Sequence, residues 1–197
     1  MIKLGFLASG NGTSIEALVN KIKSKELDGF EARVIICNKT AGEAGVYERA
    51  RKLDIPIKHL VNPSDQLELF RDYHVELVLA MGYLKVIGNE LLNYFEERIW
   101  NIHPALLPKY GGKGMYGLNV HKAVIESGDK ETGATVHVVN EHYDKGEILN
   151  QVKIPVFKNE GPEMLQKRVL KFEYVLMATT LGLYRDNLLP KCKRPRH

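Results

Sequence analysis

The sequence contains no long apolar run, and only two of its 197 residues are cysteines. A membrane-spanning helix needs about 20 consecutive, mostly apolar residues, so no membrane span is predicted. The apolar start, residues 1–8, runs directly into a Ser-Gly-Asn-Gly turn and is followed by no cleavage site of small residues. We therefore interpret it as a buried strand rather than a signal peptide, and we predict a cytoplasmic protein. Cys37 and Cys192 are too few for a disulfide framework.

The sequence also lacks the histidine and cysteine spacing of a metal site, so no metal is predicted. The formal net charge is +4. Four basic residues lie in the tail 191–197, and without them the rest of the chain is neutral by count. The positive charge therefore does not predict binding to nucleic acid, and we treat the tail as a solvated segment after a single domain of residues 1–190.

Apolar runs alternate with amphipathic segments along most of the chain. The predicted strands are residues 2–8, 32–37, 55–60, 76–81, 134–140 and 148–155. One helical pattern begins near Ser14, and another follows a predicted N-cap at Ser64. The other predicted helices are residues 45–53, 91–98, 119–127 and 162–184. This order predicts an α/β protein with a doubly wound, mostly parallel, Rossmann-like sheet and an antiparallel strand pair in the C-terminal half.

A glycine-rich turn, residues 9–14, joins the first predicted strand to the first predicted helix. The free amides and the dipole of a helix start favour an anion such as phosphate. However, Gly10-x-Gly12 lacks the third glycine of the dinucleotide fingerprint, and no Gly-Lys-Ser/Thr follows as in a P-loop. By itself, this turn fits a phosphate site and a tight strand-to-helix connection equally well.

A second polar motif, Asn101-Ile-His103-Pro, follows the apolar segment that ends at Trp100. Side chains at i and i+2 of a strand share a face, so Asn101 and His103 are expected to point the same way. The tripeptide alone is more typical of an ordinary turn before a proline than of a functional site. Ligands of doubly wound sheets gather at the carboxyl ends of the strands, where the Gly10 turn, the Gly82 segment and this motif are predicted to lie.

Taken together, the motifs resemble a known family. They are Ser9-Gly-Asn-Gly12, Asn38-Lys39, Asn101-Ile-His-Pro-Ala-Leu-Leu-Pro-Lys-Tyr110, Gly133-Ala-Thr-Val-His137, and Tyr143-Asp-Lys-Gly146 with Gln151 and Pro155 beyond. In order and spacing, the chain resembles the phosphoribosylglycinamide formyltransferases, the folate-dependent glycinamide ribonucleotide transformylase family of purine synthesis. The resemblance covers nearly the whole chain. It implies the formyltransferase fold and a one-carbon group transferase.

The resemblance also implies roles for individual residues. His103 matches the general acid, Asn101 the oxyanion-binding amide, and Asp144 the carboxylate that keeps the histidine charged. The residues that match the phosphate and ribose site of glycinamide ribonucleotide are Gly12, Thr13, Ser14, Leu170 and Glu173. The residues that match the folate site are Leu84, Lys85, Val86, Ile87, Asn101, Asn140, Glu141, His142, Tyr143 and Asp144.

Other polar residues have plainer predicted roles. Thr135 and His137 alternate with apolar residues on a predicted strand, so we expect them to support the catalytic residues rather than to react. His121 and His142 are expected to be exposed. Two departures concern folate: the segment 61–65 is short and carries no arginine, and Lys85 stands where the family often has arginine. The glycine-rich loop 111–117 is longer than the common family pattern.

The implied reaction is the attack of a primary amine on the formyl carbon of 10-formyltetrahydrofolate, the co-substrate. A fixed donor to the oxyanion is worth about 3–4 kcal/mol, and a histidine can protonate the leaving nitrogen near neutral pH. The implied partners are the two small substrates, and either a monomer or a homodimer is compatible with the sequence. The alternatives are a formyltransferase for another amine, such as a sugar nucleotide, and a non-catalytic phosphate- or nucleotide-binding module.

Overall fold

The computed structural model describes residues 1–189, so the predicted basic tail lies outside the described residues. The strands are β1 (Ile2–Ala8), β2 (Phe30–Cys37), β3 (Ile57–His59), β4 (Leu77–Ala80), β5 (Ile99–His103), β6 (Glu131–Val138) and β7 (Ile148–Pro155). The helices are α1 (Thr13–Lys23), α2 (Val46–Leu53), α3 (Pro63–Asp72), α4 (Asn89–Phe95), α5 (Leu118–Ser127) and α6 (Pro162–Arg185). None of these helices is both long enough and apolar enough to cross a bilayer.

The seven strands form one sheet in the order β3-β2-β1-β4-β5-β6-β7. Strand β1 pairs in parallel with β2 and with β4, and β2 pairs in parallel with β3. Strands β6 and β7 are antiparallel. The predicted α/β architecture, with a mostly parallel sheet and an antiparallel pair in the C-terminal half, is therefore confirmed. The order reverses between β1 and β4, which is the type of switch point where such sheets bind ligands.

The described chain divides into two compact units, residues 1–100 and residues 101–189. In the first unit, β1 is buried from Leu4 to Ala8 and β4 along its whole length, as their continuous apolar runs predict. Its helices α3 and α4 meet through an edge-to-face contact between Phe70 and Phe95, whose ring centroids are 5.8 Å apart. In the second unit, the buried residues Val120 and Val124 of α5 and Leu165 and Met177 of α6 contribute to the core.

Several predicted element boundaries were wrong. The N-cap of α3 is Asn62 rather than Ser64, because the Asn62 side chain accepts a hydrogen bond from the Ser64 amide and Pro63 fits the first helical position. The predicted helix 91–98 is α4, which ends at Phe95, and β5 runs on through His103. Asn101 and His103 therefore lie within the end of a strand, as their i, i+2 spacing predicts.

Candidate active site

Strand β5 brings Asn101 and His103 to one polar cluster of the second unit. The buried His103 places Nδ1 3.6 Å from Oδ2 of Asp144. The Nε2 atom of His137, on β6, lies 3.5 Å from Oδ1 of Asp144 and 3.0 Å from Nδ2 of Asn101. The i, i+2 spacing on β5 thus puts the amide and the imidazole beside the same pair of groups, as the strand periodicity predicts.

Asp144 reaches the cluster from the loop between β6 and β7. Oδ2 of Asp144 accepts a hydrogen bond of 2.8 Å from the Gly112 amide. The loop packs closely on β6 at Gly146, where an added Cβ would lie only 1.7 Å from the Val138 carbonyl oxygen. Only glycine fits there, so Gly146 is what allows the loop to bring Asp144 against the two histidines.

The electrostatics of the cluster favour an ionised Asp144. Burial opposes its ionisation, but hydrogen bonding to His137 and Gly112, with the positive field of both histidines, holds the pKa of this carboxyl below its usual value. For His103, burial is the largest influence and lowers the pKa, while Asp144 and the Tyr110 carbonyl raise it. The net pKa of His103 is below the ordinary histidine value, so the carboxylate offsets only part of the cost of burying the charge.

His137 orients the amide of Asn101. Nδ1 of His137 lies 2.9 Å from the Val138 carbonyl oxygen, which accepts only, so Nδ1 carries a proton. When the ring is neutral, Nε2 is an acceptor and Asn101 Nδ2 donates to it; when the ring is charged, Nε2 carries a hydrogen and faces Asp144 Oδ1 at 3.5 Å as a donor. The second N–H of that amide remains available to an oxyanion, which is what the predicted role of Asn101 requires.

Thr135, on β6, contacts the chain segment that follows β5. Its hydroxyl is fully buried, donates to the Ala105 carbonyl at 2.6 Å, and accepts from the Leu107 amide at 3.1 Å. Gln151 Nε2 donates to the same oxygen at 2.9 Å. Thr135 thereby holds the segment that directly follows His103.

Replacing Thr135 by valine is expected to lower the free energy of unfolding by about 1–3 kcal/mol, because buried donors and an acceptor lose their partner. Urea unfolding monitored by circular dichroism measures the change. Thr132→Val is the matched control, since Thr132 is buried on the same strand and its hydroxyl has no hydrogen-bond partner. A control as unstable as Thr135→Val would contradict this assignment.

The predicted phosphate turn belongs to the first unit. Gly12 has a left-handed backbone with φ of 71°, and an added Cβ would lie 2.5 Å from Val46 Cγ2. Helix α1 begins at Thr13, so its first-turn amides have no partner within the helix and are free to bind an anion. Thr13 and Ser14 are half-buried at this helix start.

Ser9 connects the phosphate turn to the first predicted folate segment. The Ser9 hydroxyl donates to Asn38 Oδ1 at 2.5 Å and accepts from the Leu84 amide at 2.8 Å. The Ser9 amide donates to the Gly82 carbonyl at 3.1 Å. The loops after β1, β2 and β4 thus meet at Ser9, the first residue of the Ser-Gly-Asn-Gly motif.

The predicted folate segments have mostly exposed side chains. Leu84, Lys85 and Val86 are exposed and Ile87 is buried. In the second unit, Asn140, Glu141, His142 and Tyr143 are exposed and precede the half-buried Asp144. Their exposure leaves these backbones accessible to a ligand.

The predicted ribose-binding residues lie on α6. Leu170 and Glu173 are half-buried there. The Glu173 carboxyl is nevertheless surrounded by protein atoms, and burial raises its pKa to about 7. Burying a carboxyl without a charged partner is unfavourable unless it is hydrogen-bonded. The Glu173 carboxyl is therefore suited to accept a hydrogen bond from a ligand hydroxyl.

Two functional details were missed by sequence reasoning. His121 was predicted to be exposed, and this is wrong: it is buried on α5, its Nδ1 has no hydrogen-bond partner, and burial together with His103 lowers its pKa to about 4. The periodicity of α5, with Val120 and Val124 buried, was the available signal. The contact between His103 and Tyr110 was also missed, because it uses a backbone carbonyl.

No group of three or more potential metal ligands occurs within residues 1–189. The cluster of Asn101, His103 and Asp144 instead provides an amide donor, an imidazole and a carboxylate. Such a set can stabilise an oxyanion and move a proton, which are the requirements of acyl-type transfer.

A family model described as formyl transferase matches residues 2–181, and the chain belongs to this family. More particularly, it is 40% identical over 190 residues to the chloroplastic phosphoribosylglycinamide formyltransferase of Arabidopsis thaliana, covering 91% of this chain and 64% of that protein. It is 32% identical over 198 residues to the phosphoribosylglycinamide formyltransferase of Haemophilus influenzae, covering 96% of this chain and 90% of that protein. The chain thus spans less than two thirds of the plant relative.

Solved structures agree with this grouping. Glycinamide ribonucleotide transformylase 1 from Symbiobacterium toebii is similar with a TM-score of 0.88 and 29% identity, covering 98% of this chain and 92% of that chain. The corresponding protein from Geobacillus kaustophilus gives a TM-score of 0.84 and 30% identity, covering 93% of this chain and 98% of that chain.

Proposed function

We propose that this chain transfers the formyl group of 10-formyltetrahydrofolate to the amine of glycinamide ribonucleotide, N1-(5-phospho-β-D-ribosyl)glycinamide. The products are the N-formyl compound and tetrahydrofolate, in de novo synthesis of purines through IMP. The observation that carries the proposal is the cluster of Asn101, His103 and Asp144 in a chain of the formyl transferase family. The names of relatives that align over nearly all of the chain support the choice of acceptor.

In the proposed reaction, the amine attacks the formyl carbon and negative charge develops on the formyl oxygen. The free N–H of Asn101 donates to this oxygen, and so does His103 when it is protonated. Although burial keeps the pKa of His103 low in the free chain, a developing negative charge nearby raises it. As the bond from carbon to N10 breaks, its electron pair stays on N10, which takes a proton from His103. The attacking nitrogen releases one proton to solvent, so protons and charge balance over the reaction.

The binding roles follow the sequence prediction. The amides at Gly12, Thr13 and Ser14 would take the terminal phosphate, since a helix start attracts anions. Glu173, near Leu170, would accept a hydrogen bond from a ribose hydroxyl. The segments Leu84–Ile87 and Asn140–Asp144 would hold the folate, mainly through their backbones.

Asp144→Asn is expected to lower the activity and to move the alkaline limb of its pH profile to lower pH. Asp144 raises the pKa of His103, so without its charge His103 loses its proton at a lower pH. The pH dependence of kcat/KM measures this shift, because it reports the groups of the free enzyme. Asp72→Asn, at an exposed position of α3, is the control and should leave the profile in place. An unmoved alkaline limb in Asp144→Asn would argue against the pairing.

A panel of acceptors tests the proposed substrate. Wild-type protein and 10-formyltetrahydrofolate are combined with glycinamide ribonucleotide, with its dephosphorylated riboside, with an amino-sugar nucleotide, or with water alone. We expect rapid transfer to glycinamide ribonucleotide and a much higher KM for the riboside, because the phosphate contributes binding at the Gly12 turn. Preference for the sugar nucleotide would favour another acceptor, and no transfer at all would favour a non-catalytic binding module.

We further propose that residues 1–190 act as one formyltransferase domain in the cytoplasm, with two small molecules rather than nucleic acid as partners. The balanced charge of the chain outside its tail supports the exclusion of nucleic acid. Either a monomer or a homodimer agrees with this proposal, and light scattering at several concentrations would distinguish the two.

A further inference from the structure

His103 uses its two ring nitrogens for different contacts. Nε2 lies 2.8 Å from the carbonyl oxygen of Tyr110, while Nδ1 faces Asp144. A carbonyl oxygen only accepts, so Nε2 carries a hydrogen in both the neutral and the charged ring. Nδ1 is therefore the nitrogen that gains and loses a proton.

The side chain of Tyr110 is anchored at the end of α5. Its hydroxyl donates to Asp129 Oδ2 at 2.7 Å and lies 2.5 Å from Ser127 Oγ. The Ser127 hydroxyl donates a hydrogen bond of 2.8 Å to the Val124 carbonyl oxygen. Lys109 Nζ contacts the same oxygen of Asp129 at 2.7 Å. The phenol is thus fixed to a helix end by a connected set of polar groups.

The backbone at Tyr110 needs such an anchor. Its φ of 57° lies in the left-handed region, which is unfavourable for a residue with a side chain. Two residues later, the Gly112 amide donates to Asp144 at 2.8 Å. Gly111 packs between them, and an added Cβ there would lie 2.6 Å from Leu107 Cδ2 and 3.1 Å from Asp144 Cβ. One short segment therefore contacts both His103 and Asp144.

We propose that Tyr110 is a positioning residue for the formyl transfer reaction. Its anchored phenol holds its backbone carbonyl against Nε2 of His103, which fixes the neutral tautomer and leaves Nδ1 as the proton donor. During the reaction, the Nδ1 proton moves to N10 as the bond from the formyl carbon to N10 breaks. The ring is left neutral with its hydrogen on Nε2. The catalytic consequence rests on the proposed function, whereas the effect on His103 itself does not.

Three other ionisable groups act on His103 from the neighbouring elements. Asp144 raises the pKa of His103, and His137 on β6 lowers it. His121 on α5 has a pKa of about 4, so it is neutral near neutral pH and adds no charge there. The Tyr110 carbonyl and Asp144 are thus the two groups that favour the imidazolium, and loss of the carbonyl contact should lower the pKa of His103.

Tyr110→Phe removes the phenol anchor and keeps the ring. Nitrogen NMR of histidine-labelled protein, free of substrates, reports the His103 tautomer and its titration. In the wild type we expect the neutral ring to carry hydrogen on Nε2. In Tyr110→Phe we expect a mixture of tautomers, a His103 pKa lower by about half a unit to one unit, and a kcat about tenfold lower with KM unchanged.

Two further variants make the test specific. Asp129→Asn removes the charged acceptor of the phenol, so it should lower the pKa of His103 as well, by a smaller amount than Tyr110→Phe does. The double variant should change the His103 pKa and kcat no more than Tyr110→Phe alone does, because both substitutions break the same anchor of the phenol. Tyr116→Phe, at an exposed position of the same loop, should leave the tautomer and kcat as in the wild type. If circular dichroism shows that Tyr110→Phe is not folded, the NMR and kinetic measurements on Asp129→Asn test the proposal instead.

The outcomes separate this inference from the proposed function. An unchanged His103 tautomer and titration in both Tyr110→Phe and Asp129→Asn would overturn the positioning role, even if kcat fell. The expected NMR changes in a protein without formyl transfer would support the role of Tyr110 toward His103 and overturn the proposed reaction. A raised KM with unchanged NMR would assign Tyr110 to substrate binding and contradict the inference.

Discussion

Replacing His103 by alanine is expected to lower kcat for formyl transfer by about 10²–10⁴-fold, the usual loss for a general acid. The ring contributes both the proton for the leaving nitrogen and a charged donor to the oxyanion. KM for glycinamide ribonucleotide should change little, since the proposed phosphate and ribose contacts belong to other residues. Steady-state formation of the formylated amine measures both constants.

His59→Ala is the control for this variant, because His59 is exposed on β3 and takes no part in the cluster. Circular dichroism and thermal unfolding should show that His103→Ala remains folded. Its alanine does leave a gap against Tyr110 and Asp144, so His103→Gln gives a second measurement at similar volume. If both variants kept wild-type kcat, His103 would not be the general acid.

Replacing Asn101 by alanine is expected to lower kcat by about 10²–10³-fold, as for loss of one oxyanion donor. In contrast to Asp144→Asn, this variant should keep its alkaline limb where the wild type has it, because the amide carries no charge. The pH dependence of kcat/KM, measured in parallel for the two variants, distinguishes an oxyanion donor from a group that tunes His103.

Asn119→Ala is a suitable control, since Asn119 is an exposed amide at the start of α5. His137→Leu is a further test of this role: it removes the ring nitrogen that orients the Asn101 amide, so it should reproduce part of the loss of kcat in Asn101→Ala. A wild-type kcat in Asn101→Ala, or a pH profile shifted as in Asp144→Asn, would contradict the role of Asn101 as an oxyanion donor.

The sheet could be predicted from the sequence because its signals are local. Apolar runs of strand length, such as Ile2–Ala8, and helical spacing between them specify alternating strands and helices without knowledge of distant residues. The i, i+2 rule likewise placed Asn101 and His103 on one face. The boundary errors arose where two local signals compete, as at Asn62 and Ser64, either of which can cap a helix.

The supporting contacts of the site could not be predicted, because they join residues far apart in sequence through groups without a pattern. The anchor of Tyr110 joins it to Asp129, and the Gly112 amide that binds Asp144 leaves no trace in the sequence. Asp144 itself was assigned by family resemblance rather than by periodicity. The burial of His121 was predictable from the helical spacing of α5, because His121 lies on the same face as the buried Val120 and Val124.

The most direct test of the proposed function is the stoichiometry of the wild-type reaction. Purified protein is mixed with 10-formyltetrahydrofolate and glycinamide ribonucleotide, and tetrahydrofolate and the formylated amine are measured over the same time course. We predict that the two products form in equal amounts. Tetrahydrofolate that accumulates without the formylated amine, or no turnover of this substrate pair, would contradict the assignment of this chain as a glycinamide ribonucleotide formyltransferase.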